Sequence, residues 1–291
     1  MERDIMQKEY VVKEECILKD FLEKNMTDIS KHKRKALLTN GVIEVNGKVK
    51  TKYNYPLKEG DKITLKEKEV PTSLDILYED NDIIVVDKPS GVLTVGTDKH
   101  EENTLYREVS HYVKQKKASN RIFIVHRLDK DTSGVILFCK NQKLKRMFQD
   151  HWNELVLKRE YVGVTEGIPK QRKGTVIQYL KENEQYMVYA TSAKEGKKAI
   201  TNYEVIEDNG KYAYVRFQLE TGRKNQIRVH MQDLGHPIIG DGRYGGEESL
   251  NPIGRLALHA FKLCFYHPVT GDLMEFETPY PGEFKKLFLK K

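Results

Sequence analysis

Two carboxylates, Asp129 and Asp131, stand two positions apart in the segment HRLDKDTSG. Acidic residues at this spacing, followed closely by Gly134, match the opening of an EF-hand calcium loop. The twelfth residue of such a loop must be an acidic ligand, and here it is Lys140. The residues before Lys140, VILFC, form an apolar run that is typical of a buried strand. We therefore reject a calcium site, and the sequence predicts no other metal site.

The same segment contains the residue types of a hydrolase triad in His126, Asp129 and Ser133. Triad members usually come from separate segments, because side chains within one turn rarely point at a common atom. The chain also lacks the G-x-S-x-G motif of a nucleophile elbow. A triad is therefore excluded. The residues alone still allow a structural role, in which Asp129 caps a turn and pairs with Arg127.

The elements that position this segment follow from the patterns around it. GVILFCKN predicts a buried strand, and RIFIVHRLD, KREYVGVTEG and KYAYVRFQLE predict further strands. TLYREVSHYVKQKK predicts a helix, and NQKLKRMFQDHWNEL predicts a second one capped by Asn141. LDILYEDNDIIVVDKPSG predicts two strands joined by a turn at 80–82. We expect an α+β domain on a large, mixed, mainly antiparallel sheet.

The N-terminal quarter has a different pattern. CILKDFLEKNM predicts an amphipathic helix with Ile17 on its apolar face. A second helix is expected from Ser30, its cap, to Gly41, where it stops. VIEVNGKVKTKY predicts a hairpin around the turn residues Asn46 and Gly47. The second helix carries a basic cluster that could bind phosphates, composed of Lys31, Lys33, Arg34 and Lys35.

Composition is compatible with a polyanionic partner. The 291 residues include 50 Lys and Arg against 43 Asp and Glu, which gives a formal charge of +7. The three cysteines are widely spaced, as expected of reduced thiols in a cytosolic protein. The charged start, MERDIMQKEY, is unlike a signal peptide, and no apolar run is long enough to cross a membrane. We expect a soluble, cytoplasmic protein.

HRLDKDTSG resembles the signature of the RluA-type RNA pseudouridine synthases, with Asp129 at the family's catalytic aspartate. DKPSGVLTVGT resembles the family's first motif, and LETGRKNQIRVHM resembles its third. KREYVGVTEG places Tyr161 at the family's active-site tyrosine, and LHAFKLCFYHPVTG resembles the C-terminal motif. The resemblance covers nearly all of residues 75–284 and implies the pseudouridine synthase fold and an isomerase without a cofactor.

The resemblance also implies roles for individual residues. Arg228 is the expected cation beside Asp129, because Ile227, His230, Met231 and Leu234 would face the core and leave it on another side. Arg223 or Arg127 would replace it if Arg228 proved to be a phosphate contact. The family has His where this chain has Asn225. We expect this residue either to support the reacting groups from behind or to contact RNA, and so to affect target choice more than chemistry. The expected RNA-binding residues in this part of the chain are Arg127, Arg223, Asn225 and Gln226.

The first quarter resembles the S4 RNA-binding domain in the order of its FL, IS, LLTNGVIEVNGKVK and LKEGDKI elements. We expect an S4-like domain at 1–70, a linker at 71–74 and the catalytic domain at 75–291. The predicted function is conversion of uridine to pseudouridine in structured RNA. Large-subunit ribosomal RNA is the expected substrate, with transfer RNA as the alternative. A monomer is expected, and an RNA-binding protein that has lost the chemistry is the rival hypothesis.

Overall fold

The computed structural model describes residues 9–27, 34–35, 37–38, 42–65, 73–96, 104–245 and 251–288. The chain forms two compact units, Met1–Pro71 and Thr72–Lys291. Among the residues described, no helix is long and apolar enough to cross a membrane.

Among its described residues, the first unit contains two small antiparallel sheets and the helix α1, Leu18–Asn25, and residues 34–35 and 37–38 are also helical. Helix α1 buries Leu18, Phe21 and Leu22. One sheet has the strand order β1-β6-β3-β4, and the other pairs β2 with β5. The strands are β1 Glu9–Val11, β2 Cys16–Ile17, β3 Ile43–Val45, β4 Lys48–Val49, β5 Pro56–Leu57 and β6 Lys62–Leu65.

The sequence located most of these elements correctly. The hairpin turn is confirmed, since Asn46 and Gly47 both have positive φ, at 49° and 76°. Ile17 is an exception, because it belongs to β2 and is 36% exposed instead of packing on the helix. The predicted second helix falls partly outside the described residues, including its expected ends at Ser30 and Gly41. Within it, Leu38 is fully buried in the core of the unit.

The second unit is an α+β domain built on one large sheet. Its helices are α2 Leu105–Lys116, α3 Gln142–Asp150, α4 Trp152–Leu155, α5 Gln226–Asp233 and α6 Gly282–Lys286. Its strands are β7 Asp75–Glu79, β8 Ile83–Lys88, β9 Phe123–Ile124, β10 Ser133–Cys139, β11 Val156–Glu166, β12 Lys173–Glu182, β13 Val188–Thr191, β14 Lys197–Asp208, β15 Tyr212–Leu219, β16 Leu258–Tyr266 and β17 Leu273–Glu277.

The strand order is β13-β12-β14-β15-β11-β16-β10-β8-β7, with β17 paired to β16 and β9 paired to β10. Among the described strands, β10 and β16 form the one parallel pair, so the expected mixed, mainly antiparallel sheet is confirmed. The Asn141 cap is also confirmed, because its side chain accepts the Leu144 N–H at 2.9 Å. The strand expected in RIFIVHRLD is only two residues long, as β9.

The parallel contact of β10 with β16 depends on Gly134. Gly134 lies opposite Ala260 and has a φ of 118°. A Cβ atom at this position would lie 2.1 Å from the Ala260 carbonyl oxygen. Only glycine can therefore occupy position 134 while the two backbones remain this close.

Candidate active site

Asp129 lies in the loop 125–132, between β9 and β10, which we call the Asp129 loop. The side chain of Lys88, at the end of β8, is fully buried beneath it. The Lys88 ammonium donates to the carbonyl oxygens of Pro89, Val92 and Lys130 at 2.9, 2.7 and 2.8 Å. All three of its protons are thereby bonded, which is what a buried ammonium requires. Lys88 thus fastens the backbone next to Asp129.

Four further hydrogen bonds, made by three residues, join the segment 88–94 to the Asp129 loop. Thr94 Oγ1 donates to the Leu128 carbonyl at 2.8 Å and accepts the Leu128 N–H at 3.2 Å. Ser90 Oγ donates to the Asp131 carbonyl at 2.6 Å, and the Gly91 N–H donates to the Lys130 carbonyl at 3.0 Å. The backbone on both sides of Asp129 is therefore fixed by the DKPSGVLT segment.

The Asp129 side chain is 28% exposed and faces a cation. Arg228 Nη1 lies 3.9 Å from Asp129 Oδ2, and the backbone N–H of Asn225 is near enough to favour the ionised carboxylate. Loss of solvent raises the pKa of Asp129, whereas Arg228 and the Asn225 N–H oppose that rise. The result is a partly desolvated carboxylate with one open side.

Arg228 is held mainly by another acid, Asp241. Its Nε and Nη2 donate to Asp241 Oδ2 and Oδ1, each at 2.7 Å. Asp241 Oδ1 also accepts the N–H groups of Arg243 and Tyr244, at 3.0 and 2.9 Å. Arg228 therefore lies beside Asp129 as expected, but its two-pronged partner is Asp241, which the sequence did not predict. The expected helix face is also wrong at one position, because Leu234 is 40% exposed.

Asn225 connects this ion pair to Tyr244. It precedes α5 in the left-handed conformation, with φ 54° and ψ 19°, which asparagine tolerates better than other residues with a side chain. Its Oδ1 accepts from Arg228 at 3.0 Å, and its Nδ2 donates to the Tyr244 hydroxyl at 3.0 Å. Since Asn225 is only 5% exposed, its side chain is not available for the expected contact with RNA, and that expectation is corrected here. Its place is within the support of Arg228.

Gln226 is also part of the framework. Its Oε1 accepts from Thr221 Oγ1 at 2.7 Å and from the Arg223 N–H at 3.0 Å. Its Nε2 donates to the Ile200 carbonyl and to Thr201 Oγ1, both at 2.9 Å. At 2% exposure it has no free polar group for RNA, so the expected contact is corrected here as well. Gln226 instead fixes the turn that precedes α5.

Tyr161 lies on β11 at the level of the Asp129 loop. His259 on β16 pairs with Ser133 at the end of that loop and with Val162 beside Tyr161. Burial raises the pKa of the Tyr161 hydroxyl to about 12, with the Arg159 guanidinium opposing the shift and the Asp129 carboxylate adding to it. The structure thus brings together a carboxylate, a neutral phenol and a guanidinium.

Residues 82–233 match the family model described as RNA pseudouridylate synthase. The chain belongs to the RNA pseudouridylate synthase family. It is therefore an isomerase that converts uridine to pseudouridine in RNA.

Relatives of the synthase support this assignment over almost the whole chain. It is 34% identical to the uncharacterized RNA pseudouridine synthase YlyB of Bacillus subtilis, over 92% of this chain and 91% of the relative. It is 33% identical to the ribosomal large subunit pseudouridine synthase D of Vibrio parahaemolyticus, over 88% and 85%. The solved structure of human RNA pseudouridylate synthase domain containing 4 shares the fold, with a TM-score of 0.61 at 22% identity, over 74% of this chain and 94% of that one.

For four of the residues predicted to contact RNA, the position in the structure is compatible with that role. Arg127 is exposed and makes no ion pair or hydrogen bond within the part of the chain described, so it is not the partner of Asp129. Arg223 is exposed, and its Nε donates to the Lys198 carbonyl at 2.9 Å. Arg34 donates to the Met26 carbonyl at 2.9 Å, and Lys35 is exposed. Lys31 and Lys33, also expected to bind RNA, lie outside the described residues.

Two polar residues close to Asp129, His126 and Thr132, have structural surroundings. His126 Nε2 accepts the Leu137 N–H at 3.0 Å. Burial lowers the pKa of His126 to about 3, which keeps the ring neutral. The Thr132 hydroxyl is buried and has no hydrogen-bond partner among the described residues. No group of acidic, His or Cys side chains among the described residues could hold a metal ion.

Sequence reasoning missed four residues that shape the synthase site. Asp241 and Tyr244 lie in the segment GDGRYGG, whose pattern offered no chemical signal except its glycines. Arg159 stands two positions before Tyr161, and its guanidinium lies 5.5 Å from the centre of the Trp152 ring. Lys88 belongs to the motif DKPSGVLTVGT. Its ammonium stands next to a Pro-x-Gly turn, which is a signal for hydrogen bonds to the carbonyl oxygens of that turn.

Proposed function

We propose that this synthase modifies a uridine in large-subunit ribosomal RNA. Support comes from the ribosomal large subunit pseudouridine synthase D of Vibrio parahaemolyticus, which covers 88% of this chain at 33% identity. The excess of 50 Lys and Arg over 43 acids suits a large polyanionic substrate. Transfer RNA is the alternative target.

The observation that carries the proposed chemistry is the Asp129 carboxylate, 28% exposed and 3.9 Å from the Arg228 guanidinium. The reaction breaks the bond between N1 of uracil and C1′ of ribose, turns the base and joins C5 to C1′. The C5 proton is lost and N1 gains one, so the product is an isomer of the substrate. The uridine must first leave its stack, because its sugar carbon is otherwise inaccessible.

Asp129 acts in its ionised form, either by attacking C1′ or by taking a ribose proton. Arg228 opposes the desolvation that raises the pKa of Asp129 and so maintains the reactive form at neutral pH. Tyr161 stacks on the extruded uracil, and its hydroxyl, neutral because burial raises its pKa to about 12, serves near C5. These three residues form the proposed catalytic set.

RNA positioning falls to cations outside this set. Arg127 is exposed and lies two residues before Asp129, so it is suited to replace the extruded base in the stack and to contact phosphate. Arg223 is exposed beside the turn before α5 and takes a second phosphate. The first unit acts as an S4-like RNA-binding domain through its basic segment, which includes Lys31 and Lys33.

A retired enzyme that only binds RNA is the rival function. Such a protein has no need of an ionisable acid, a phenol and a guanidinium placed together. Since Asp129, Tyr161 and Arg228 are all present, the catalytic function is favoured.

Mapping pseudouridines in ribosomal and transfer RNA tests the proposal. A deletion strain is compared with its parent and with strains that express either the wild-type protein or Asp129→Asn. We expect one or a few pseudouridines of the large-subunit RNA to disappear on deletion and to return with the wild type alone. Loss confined to transfer RNA would move the target there, and restoration by Asp129→Asn would overturn the role of Asp129.

A further inference from the structure

Tyr186 stands at the turn between β12 and β13 with most of its ring in solvent. It is 68% exposed and has a φ of 60°, which is uncommon for a residue with a large side chain. The turn is held by Asn183, whose carbonyl accepts the Tyr186 N–H at 3.0 Å and whose Oδ1 accepts the Met187 N–H at 2.9 Å. The aromatic ring is therefore displayed by a defined turn and is absent from the core.

A cation accompanies the ring. Lys224 Nζ lies 5.3 Å from the centre of the Tyr186 ring and also pairs with Glu182. Arg243 Nη1 donates to the Tyr186 carbonyl at 3.3 Å. Glu184 is the other exposed acid of this turn. An exposed aromatic ring beside two cations is the combination with which proteins bind single-stranded nucleic acid.

This turn is joined to the active site by short connections. Lys224 immediately precedes Asn225, whose backbone N–H helps to lower the pKa of Asp129. The Tyr244 hydroxyl accepts the Val188 N–H at 3.0 Å and the Asn225 side-chain N–H at 3.0 Å. Tyr244 thereby fixes the start of β13 and the support of Arg228 through one oxygen atom. Lys224, which lies 5.3 Å from the centre of the Tyr186 ring, is also near enough to Asp129 to help lower its pKa, so one cation links the ring to the active site.

We propose that Tyr186 stacks on a base next to the target uridine, and that Lys224 and Arg243 contact the adjoining phosphates. The inference rests on the proposed RNA substrate and adds a binding position for a flanking nucleotide. Once the target uridine is extruded, its neighbour loses a stacking partner and exposes a base face. An aromatic ring at the entrance of the site compensates for that loss. Tyr186 is thus a substrate-positioning residue without a part in the chemistry.

Binding and turnover of Tyr186 variants test this inference. The substrate is a short fluorescein-labelled stem-loop RNA that carries the uridine mapped as described above. Tyr186→Ala should weaken binding, seen in Kd and KM, by roughly 5- to 150-fold, which corresponds to the loss of one base–aromatic stack. Tyr186→Phe keeps the ring and should remain close to wild type. In both variants kcat at saturating RNA and the acid limb of the pH profile should not change.

A matched control is Tyr266→Ala, because Tyr266 is a 41% exposed tyrosine at the opposite end of β16 from His259. It should leave Kd unchanged. Single abasic sites placed on either side of the uridine then identify the partner base. The abasic position that weakens binding to wild type and has no effect on Tyr186→Ala is the stacked one.

Wild-type Kd in Tyr186→Ala would overturn the inference, as would a loss in Tyr186→Phe equal to that in Tyr186→Ala. The inference would also be overturned if the losses in binding free energy from Tyr186→Ala and from an abasic site were additive at every position tested. If the ring stacks on one base, removing that base must have less effect once the ring is gone. Failure of the wild type to form pseudouridine in the stem-loop would count against the proposed target. The binding comparison would still decide the role of Tyr186.

Discussion

Arg228 and Asp241 form a two-pronged ion pair, with both N–O distances at 2.7 Å, and the Asp241 side chain is fully buried. The guanidinium is therefore oriented before any substrate arrives. Its remaining Nη1 bonds Asn225 at 3.0 Å and lies 3.9 Å from Asp129, so one cation serves a structural acid and a reactive acid. Arginine suits both duties because its planar fork binds a carboxylate through two nitrogens.

Replacing Arg228 by Met should move the acid limb of the kcat/KM profile to higher pH. Burial already raises the pKa of Asp129, and Arg228 opposes this rise. Without the guanidinium that pKa rises further, so more alkaline solution is needed to ionise the acid. We expect a shift of about one unit, at the low end for a nearby charge because Arg228 is shared with Asp241. Arg228→Lys should recover part of the shift.

Asp241→Asn is the control for this variant, because it disrupts the same ion pair and leaves the guanidinium in place. Both variants should unfold more easily, since breaking a buried pair typically costs about 3–5 kcal/mol. Only Arg228→Met should shift the acid limb upward. An equal upward shift in both would attribute the effect to lost packing, and an unmoved limb in Arg228→Met would assign Arg228 to RNA binding.

Asp129→Asn should fold and bind RNA but fail to make pseudouridine. The substitution is nearly isosteric and removes only the ionisable group. Pseudouridine formation should fall by roughly 100-fold or more, while the melting temperature and Kd stay near those of wild type. Turnover within about tenfold of wild type would remove Asp129 from the chemistry.

Activity should be insensitive to chelators. The isomerisation requires no Lewis acid in the proposed scheme, and the position that would complete a calcium loop is Lys140. Treatment with EDTA, followed by assay on a short RNA that folds without divalent ions, measures this directly. Activity lost with EDTA and regained with a divalent ion on that RNA would contradict the prediction.

Lys31 and Lys33 should contribute salt-dependent affinity. The double variant Lys31→Ala/Lys33→Ala should raise Kd and KM for structured RNA, with kcat unchanged. Each lost phosphate contact should make the slope of log K against log salt shallower by about one. Lys19→Ala, an exposed lysine on α1, is the matched control and should have no such effect. A fall in kcat with unchanged affinity would refute a binding role.

His126 should make the fold sensitive to acid. Its pKa is lowered by burial to about 3, below the ordinary value of 6.5, so the unfolded chain binds the extra proton first. The free energy of unfolding should therefore fall as pH decreases from about 6.5 towards 3. Buried His230 and His259, each with a pKa lowered to about 4, act in the same direction.

His126→Gln keeps a hydrogen-bond acceptor for the Leu137 N–H and removes the titrating ring. Urea unfolding at several pH values should show a shallower acid decline for this variant than for wild type. His111→Gln is the control, because His111 is exposed and should leave the decline unchanged. If the free energy of unfolding declined equally steeply with falling pH in His126→Gln and in wild type, the prediction would be contradicted.

The sequence allowed prediction of elements whose signals are local. The Asn46–Gly47 turn, the Asn141 cap and the buried β10 each depend on residues that are neighbours in the chain. Ile17 was misplaced because an apolar residue at a helix start fits a strand equally well. The residue opposite it on the neighbouring strand, Pro56, is distant in sequence.

The residues of the site also differ in this way: some are marked by a local motif, and others only by partners that are distant in sequence. Asp129 and Tyr161 were identified through motifs, and the structure places them at one level of the sheet. Asp241 was missed because its partner Arg228 is 13 positions away and no periodic pattern links them. Asn225 was assigned to RNA binding because it stands at the position of the family's His. Only the structure shows that both ends of its amide are already bonded.

The contact of Gly134 with Ala260 also limits where insertions and deletions in the gene can be tolerated. Five positions separate Gly134 from Asp129, and the backbone fit with the Ala260 carbonyl anchors one end of that interval. Thr94 anchors the other end at the backbone of Leu128, directly before Asp129. An inserted or deleted codon between these anchors would displace the carboxylate from Arg228 without unfolding the sheet. A change of length in this interval should consequently abolish activity.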